Sequence, residues 1–512
     1  MSLINGQSDA PLTKSNGSTA TYMENIEKGN SLEGPTNRND RPTPQFDKAA
    51  ESRLRRKIDW HIVPTVSILY LFCFIDRTNI GNARLAGLES DLGLTGYDYN
   101  TVLSIFYVSY IIFEIPSNMA CKWIGPGWYL PAISLGFGIT TVGFAFVRNI
   151  RAACGVRFLL GALEAGVLPG VAYYMSRWYR RSELVFRLSL YIVMGPVAGA
   201  FGGLLASAIL SLDHFGSVKS WQMIFAIEGI ITIGLALIAF VTLTDRPETA
   251  RWLRAHEKEL AIQRVMSERV ATTELLDQLD LPKTLRGIFN PVTLATSMIL
   301  LLINITVQGL AFFLPTIVRT IYPSRTVVAQ QLLTVPPYTF GAVTILMICR
   351  LSWKYDRRNC FMTLGSVIVV PGYIIFLAST NSTARYIATF FVAAGSFSFG
   401  ALTQAQSSAN VVSDTARSAA IGTTVMFGNV GGLISTWSFL PSDGPNYPIG
   451  NGLNLAANST ILIGTLVLGW WMRTDNKKRE QRSVAAHEAL REASEKHIHD
   501  LDWKHPDFRW KA

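Results

Sequence analysis

Long apolar runs recur along nearly the whole chain, and they constrain the fold more than any other feature of the sequence. A helix needs about 20 apolar residues to cross a bilayer, because its backbone groups must be bonded internally where there is no water. Twelve such runs are predicted, six on each side of a polar segment. They lie near residues 61–83, 99–121, 128–147, 152–175, 187–211, 221–243, 291–317, 330–350, 361–380, 385–409, 416–440 and 454–473. The sequence therefore predicts an all-α membrane protein with 12 transmembrane helices.

The charge content agrees with a chain that mostly avoids water. Charged residues make up 16% of the sequence, whereas soluble domains carry about 25%. The net charge of +10 raises the question of nucleic-acid binding, but most basic residues flank apolar runs, as they do when they set membrane orientation. The cysteines form no CxxC pair and the histidines form no HExxH motif. We therefore predict no nucleic-acid partner, no metal and no cofactor.

Polar and apolar segments divide the chain into five parts. The opening segment is rich in small polar residues, which favours disorder, and the closing segment is charged and helix-prone. The predicted parts are a disordered cytoplasmic tail (1–57), an N-terminal six-helix bundle (58–243), a cytoplasmic linker (244–290), a C-terminal six-helix bundle (291–473) and a cytoplasmic tail (474–512).

Two observations indicate that the halves are related and how they are oriented. Gly199-x-x-Gly202-Gly203 and Gly428-x-x-Gly431-Gly432 place the same small-residue motif in the fifth and eleventh spans. Small residues allow close helix packing in a membrane, and transporters are often built from repeats. Basic residues concentrate in alternate connections, which predicts that both termini are cytoplasmic. Asn381 would then lie outside, and whether it carries a glycan stays open.

Ionisable residues within the apolar runs are the first candidates for function. A charge at the bilayer centre is costly, so such residues face the bundle interior or water. They are Asp76, Arg77, Glu114, Arg157, Glu164 and Glu228. Arg157 and Glu164 are two helical turns apart, which predicts one shared face about 10 Å long. A cation there suits a carboxylate substrate and an acid suits proton transfer, while a structural ion-pair network is the alternative, and is favoured for Glu114 and Glu228.

The second half offers uncharged polar candidates. Its spans contain side-chain amides that suit either substrate binding or contacts between helices. These are Asn304, Gln308, Gln404, Gln406, Asn410 and Asn429. The run Asp356-Arg357-Arg358 follows the eighth span, and we interpret it as a clamp at a cytoplasmic gate.

Several motifs resemble those of a known family. The matching runs are residues 57–60, 74–83, 157–170, 245–253, 333–338 and 507–510. In this order they resemble the fungal anion:cation symporters, a branch of the major facilitator superfamily. The resemblance is closest to the allantoate and nicotinate permease type, which also includes pantothenate and biotin carriers.

The resemblance implies two six-helix bundles that rock around a substrate held between them, and proton-coupled uptake of a small carboxylate. It assigns substrate binding and proton coupling to Arg77, Arg157 and Glu164. It also implies the plasma membrane as the usual location. The superfamily's gate motif after the second span is degraded, because residues 122–126 lack its acid, and an acid survives only as Asp356 in the second half.

The combined hypothesis is a monomeric proton symporter that imports a small organic anion across a lipid bilayer. The residues expected to bind substrate are Arg77, Arg157, Asn304, Gln308, Gln404 and Asn429. Glu164 and Asp76 are expected to carry the proton, and Asp356 and Arg357 to form the gate. Two alternatives stay open, an exporter of an acidic metabolite and a nutrient sensor that does not transport. An enzyme is not expected, since the sequence has no nucleotide loop, metal cluster or activated nucleophile.

Overall fold

The computed structural model describes residues 47–211, 218–267, 281–412, 414–490, 502–505 and 508–511. Long helical segments lie at each of the twelve predicted positions, and no strand occurs in the described part of the chain. The predicted all-α class is confirmed. The segments are α1 (Lys48–Leu85), α2 (Asp98–Ile124), α3 (Pro126–Phe144), α4 (Ile150–Glu164 and Val167–Trp178), α5 (Arg181–Ile192 and Met194–Leu210), α6 (Ser220–Thr242), α7 (Pro291–Ile321), α8 (Val335–Tyr355), α9 (Arg358–Ala378), α10 (Ser382–Ser396 and Phe399–Ala409), α11 (Asp414–Ser435) and α12 (Pro448–Leu490).

Ten helices within the described ranges are long and apolar enough to cross a membrane. The two segments below that threshold are α3 and α11, which are rich in Gly, Ser and Thr. Both pack against long neighbours, α3 on α6 and α11 on α7. The twelve-helix fold is consistent with this finding, because packing against other helices replaces contact with lipid along much of each segment.

One predicted boundary needs correction. The sequence predicts disorder to residue 57, but Lys48–Lys57 are helical and begin α1; residues 1–46 lie outside the described residues. At the other end, the helix-prone segment after residue 473 continues α12 to Leu490. Its extension is rich in Lys, Arg, Glu and Ala, which are good helix formers that need no membrane.

The segment between the halves contains two helices that dock separately. Helix Ala255–Ser267 contacts α1 and α4, whereas helix Leu281–Ile288 contacts α11. We call the side where α1 begins and α12 ends the terminal side. The linker helices lie on that side, one against each half.

Helix pairing follows the same pattern in both halves. In the first half α1 packs on α5, α2 on α4 and α3 on α6; in the second half α7 packs on α11, α8 on α10 and α9 on α12. Each pair in one half matches the pair six helices later. This repetition is what a duplicated six-helix unit predicts. The halves meet through α1 with α7, α2 with α11, and α5 with α8.

The two glycine motifs lie at these close contacts. A Cβ atom on Gly431 would lie 2.0 Å from the carbonyl oxygen of Leu301 on α7. A Cβ atom on Gly432 would lie 2.4 Å from the ring of Tyr107 on α2. A Cβ atom on Gly199 would lie 2.5 Å from the ring of Tyr338 on α8. The motifs therefore allow two helix backbones of one half to approach closely, and allow an aromatic ring of one half to pack against a glycine of the other.

Candidate functional site

A cavity lies between the two halves. Its walls come from both halves and combine aromatic rings with side-chain amides. They include Tyr70, Phe74, Arg77, Tyr110, Asn304, Gln308, Phe397, Gln404 and Asn429. Arg77 is the one charged side chain among the described lining residues. The cavity thus has a single cation facing a largely uncharged wall.

Arg77 is held by a carboxylate behind the cavity wall. Its Nε donates to Oε2 of Glu164 at 2.9 Å, and the Sγ of Cys73 donates to the same oxygen at 3.3 Å. The guanidinium also lies over the rings of Tyr110 and Phe106, at 5.0 and 5.4 Å from their centres. Glu164 is fully buried, does not line the cavity, and its Oε1 has no hydrogen-bond partner. The ion pair therefore presents the cation and hides the anion.

Arg157 lies elsewhere. Its guanidinium is 4.7 and 5.7 Å from the ring centres of Phe144 and Phe225, and it does not line the cavity. The expected shared face of Arg157 and Glu164 does not bring the two charges together. Both side chains tilt in the same direction along α4, so the two helical turns between them keep the charges apart.

A second polar cluster surrounds Arg157 inside the first half and adjoins the Arg77–Glu164 pair. Asp76 accepts a hydrogen bond from Thr141 at 2.8 Å, and Glu228 accepts one from Asn79 at 2.7 Å. Each acid has one carboxylate oxygen without a hydrogen-bond partner. Nε and Nη2 of Arg157 also have no hydrogen-bond partner. Three buried charges thus share an incompletely bonded environment away from the cavity. Sequence reasoning favoured a structural role for Glu228 and had no means to place it beside Asp76.

The predicted amides of the second half divide into two groups. Asn304 donates to the Gly428 carbonyl at 2.9 Å, and Asn429 donates across the halves to Oε2 of Glu114 at 3.0 Å. These two line the cavity together with Gln308 and Gln404. The other group, Gln406 and Asn410, binds a distant backbone segment instead.

The predicted clamp after α8 is an ion pair within one connection. Asp356 pairs with Arg358 at 2.8 Å, while Arg357 is exposed. In the first half, the acid that residues 122–126 lack is supplied from after α6. Asp245 accepts from the Gly127 backbone at 3.2 Å and pairs with Arg177 at 3.4 Å. Sequence analysis missed Asp245 because it lies 118 residues from Gly127.

Two six-helix halves around a polar central cavity define a secondary active membrane transporter. Comparison with known proteins agrees. A family model described as Major Facilitator Superfamily matches residues 66–436. The chain belongs to this superfamily.

Fungal transporters are similar to this chain. The chain is 31% identical to "Uncharacterized transporter C1683.12" of Schizosaccharomyces pombe, over 85% of this chain and 89% of that protein. It is 30% identical to "MFS-type transporter efuF" of Hormonema carpetanum, over 85% and 88%. Among solved structures, a D-xylose–proton symporter matches with a TM-score of 0.61 and 14% identity, over 78% of this chain and 97% of that chain. A bacterial homologue of the human lysosomal transporter Spinster matches with a TM-score of 0.58 and 15% identity, over 82% and 95%. At these identities the structures support the fold alone.

Proposed function

We propose that this transporter is a proton symporter for a small organic anion, of the anion:cation symporter type. A carboxylate of vitamin or nitrogen-metabolite size, such as nicotinate, pantothenate, biotin or allantoate, is the substrate class. The observation that carries the proposal is the position of Arg77, which faces the cavity while its counter-ion, Glu164, is buried behind it.

This geometry makes two anions compete for one cation. A substrate carboxylate that binds Arg77 from the cavity weakens the bond from Arg77 to Glu164. A buried carboxylate without its cation is strongly disfavoured, so Glu164 gains a proton when the anion binds. By linkage, a proton on Glu164 frees Arg77 for the anion to the same extent. Anion and proton therefore bind together.

The remaining residues have supporting roles in this proposal. Asn304, Gln308, Gln404 and Asn429 offer donors and acceptors to the uncharged part of the substrate. Arg157 acts through Asp76, which is a second proton site, instead of touching the substrate. This departs from the expectation that Arg157 binds the anion, because it does not line the cavity.

Orientation and location belong to the same proposal. Basic residues concentrate on the terminal side, which favours placing it in the cytoplasm. With the protein in the plasma membrane, an inward proton gradient drives uptake. The gate on the terminal side is proposed to include Asp356 and Arg357.

Uptake measurements in a transport-deficient yeast strain test the proposal. Labelled nicotinate, pantothenate, biotin and allantoate are offered at pH 5, with and without a protonophore. We expect one acid to accumulate, the protonophore to abolish accumulation, and Glu164→Gln to abolish it while retaining exchange of labelled for unlabelled substrate. Glu89→Gln is the control, because this acid is partly exposed and pairs with Arg84 outside the cavity.

The alternatives give different results in the same assay. Net efflux under an inward proton gradient indicates an exporter of an acidic metabolite. Specific binding without flux, with the protein at the cell surface, indicates a sensor. Unchanged accumulation in Glu164→Gln refutes the role of Glu164 in coupling.

A further inference from the structure

The segment Phe508–Lys511 returns to the terminal side of the second half and docks there. Trp510 is 4% exposed, although it lies far along the chain from the helices that surround it. Its ring lies 5.4 Å from that of Trp471 on α12 and 4.9 Å from that of Phe508. An aromatic side chain so deeply buried indicates a specific pocket and not a loose surface contact.

Two asparagines hold the backbone of this segment by the same arrangement. Asn410, at the end of α10, donates to the Lys511 carbonyl at 3.0 Å and accepts from the Lys511 amide at 2.8 Å. Asn476, on α12, donates to the Trp510 carbonyl at 2.9 Å and accepts from the Trp510 amide at 2.8 Å. Each side-chain amide thus satisfies both backbone groups of one residue. Asparagine has one donor group and one acceptor group, and this geometry uses both.

Further hydrogen bonds hold Trp510 and Lys511 against α10 and α12. Gln406 donates to the Lys511 carbonyl at 2.6 Å, and the Trp510 indole donates to Asp475 at 2.7 Å. Arg479 pairs with Asp475 and lies 5.1 Å from the centre of the Trp510 ring. These contacts come from α10 and α12 and recognise both main chain and side chain. Backbone recognition by a row of fixed polar groups, with a pocket for one large side chain, is how proteins bind extended peptides.

We propose that α10 and α12 form a peptide-binding site on the terminal side, and that Phe508–Lys511 is its built-in ligand. The site is separate from the central cavity but shares a helix with it. Gln404 lines the cavity, Gln406 follows on the same segment of α10, Phe399–Ala409, and Asn410 caps the end of that segment. Phe397 and Ser398, which precede this segment, have helical backbone angles, so α10 continues through them. Docking therefore fixes the terminal-side piece of a helix whose preceding turns face the cavity. Release of the segment frees that piece, which makes the site a regulatory device.

Hydrogen exchange of the full-length protein tests this inference without requiring a known substrate. Trp510→Ala is expected to raise amide exchange in Phe399–Ala409 about tenfold or more, since burial of one large aromatic ring contributes that much to a local equilibrium. Trp470→Ala is the matched control, because Trp470 lies on α12 next to Trp471 but is 68% exposed. Exchange in α2 and α3 of the first half should not change.

Addition of a peptide distinguishes a binding site from a fixed part of the fold. A synthetic peptide of residues 502–511, added to the Trp510→Ala protein, is expected to restore protection of Phe399–Ala409, whereas the same peptide with Trp510 replaced by Ala is not. If Trp510→Ala does not fold, Asn410→Ala and Asn476→Ala each remove one two-point contact and replace it in the exchange measurement alone, because both also alter the site that the added peptide would occupy. Unchanged exchange in the variants, or no recovery with the peptide, overturns the inference.

Discussion

Replacement of Gly431 by alanine is the most direct test of how the second half is packed. The added Cβ would lie 2.0 Å from the Leu301 carbonyl oxygen and 2.9 Å from its carbonyl carbon. Both atoms are backbone, so no side-chain rotation relieves the clash, and α7 must move relative to α11. These helices form one of the most extensive contacts in the molecule.

Gly422→Ala on the same helix supplies the reference for the magnitude. No atom lies within 4 Å of the position of its Cβ. Alanine is favoured over glycine in a helix by about 1 kcal/mol, and this gain is common to both variants. It cancels when they are compared, and the difference then reports the cost of separating α7 and α11. Forced overpacking of this kind costs about 1–3 kcal/mol, so Gly431→Ala should be less stable than Gly422→Ala by that amount.

Thermal denaturation in detergent provides the assay. The fraction of each variant that remains monodisperse after heating is measured by size-exclusion chromatography, with the unmodified protein alongside. We expect a lower midpoint for Gly431→Ala and an unchanged or higher midpoint for Gly422→Ala. Equal midpoints for the two variants would show that α7 and α11 are not in the close contact described here, and the reasoning would fail.

Three further predictions concern the linker on the terminal side. Gly287→Ala should release helix Leu281–Ile288 from α11, because its Cβ would lie 2.2 Å from a backbone oxygen; faster proteolysis of the linker in this variant is the expected observation. Arg264→Ala should cost about 1–3 kcal/mol and lower the thermal midpoint, since this buried arginine pairs with two carboxylates that each keep another arginine partner. Slight burial opposes ionisation of Glu257, but the hydrogen bond from Lys57 prevails and lowers its pKa below the ordinary value. The Lys57 contact therefore stabilises the docked helix above the ordinary pKa of Glu257, and that contribution is lost as pH falls through the lowered value. A spin label on helix Ala255–Ser267 should gain mobility over that acid range, and not between pH 6 and 8.

The helices were predictable because the membrane imposes a length and a composition on each of them. Twelve apolar runs predicted twelve helical positions, and the paired GxxGG motifs predicted close packing in α5 and α11. The start of α1 was not predictable in the same way. Outside the bilayer no apolar requirement marks where a helix begins, so the charged first turns of α1 were expected to be disordered.

The charges within the bundle show a different limit. Spacing along one helix predicted that Arg157 and Glu164 share a face, and both are buried. It did not predict their partners, because a long side chain reaches its partner on another helix. Glu164 meets Arg77 from α1, and Arg157 lies between rings of α3 and α6. Sequence identifies which charges are buried, but the choice of ion pairs depends on helix packing that one-dimensional spacing does not contain.

The same limit explains why the acid beside residues 122–126 was missed. Residues 122–126 lack an acid, yet Asp245 occupies the space beside this turn, where Gly125 has a φ of 95° and the Gly127 amide donates to the carboxylate. A Cβ on Gly127 would lie 2.6 Å from the Asp245 backbone nitrogen, so the turn and the end of α6 fit only without a side chain there. The two glycines therefore leave room for Asp245 beside this turn. The acid that residues 122–126 lack comes from a position that is distant in sequence and adjacent in space.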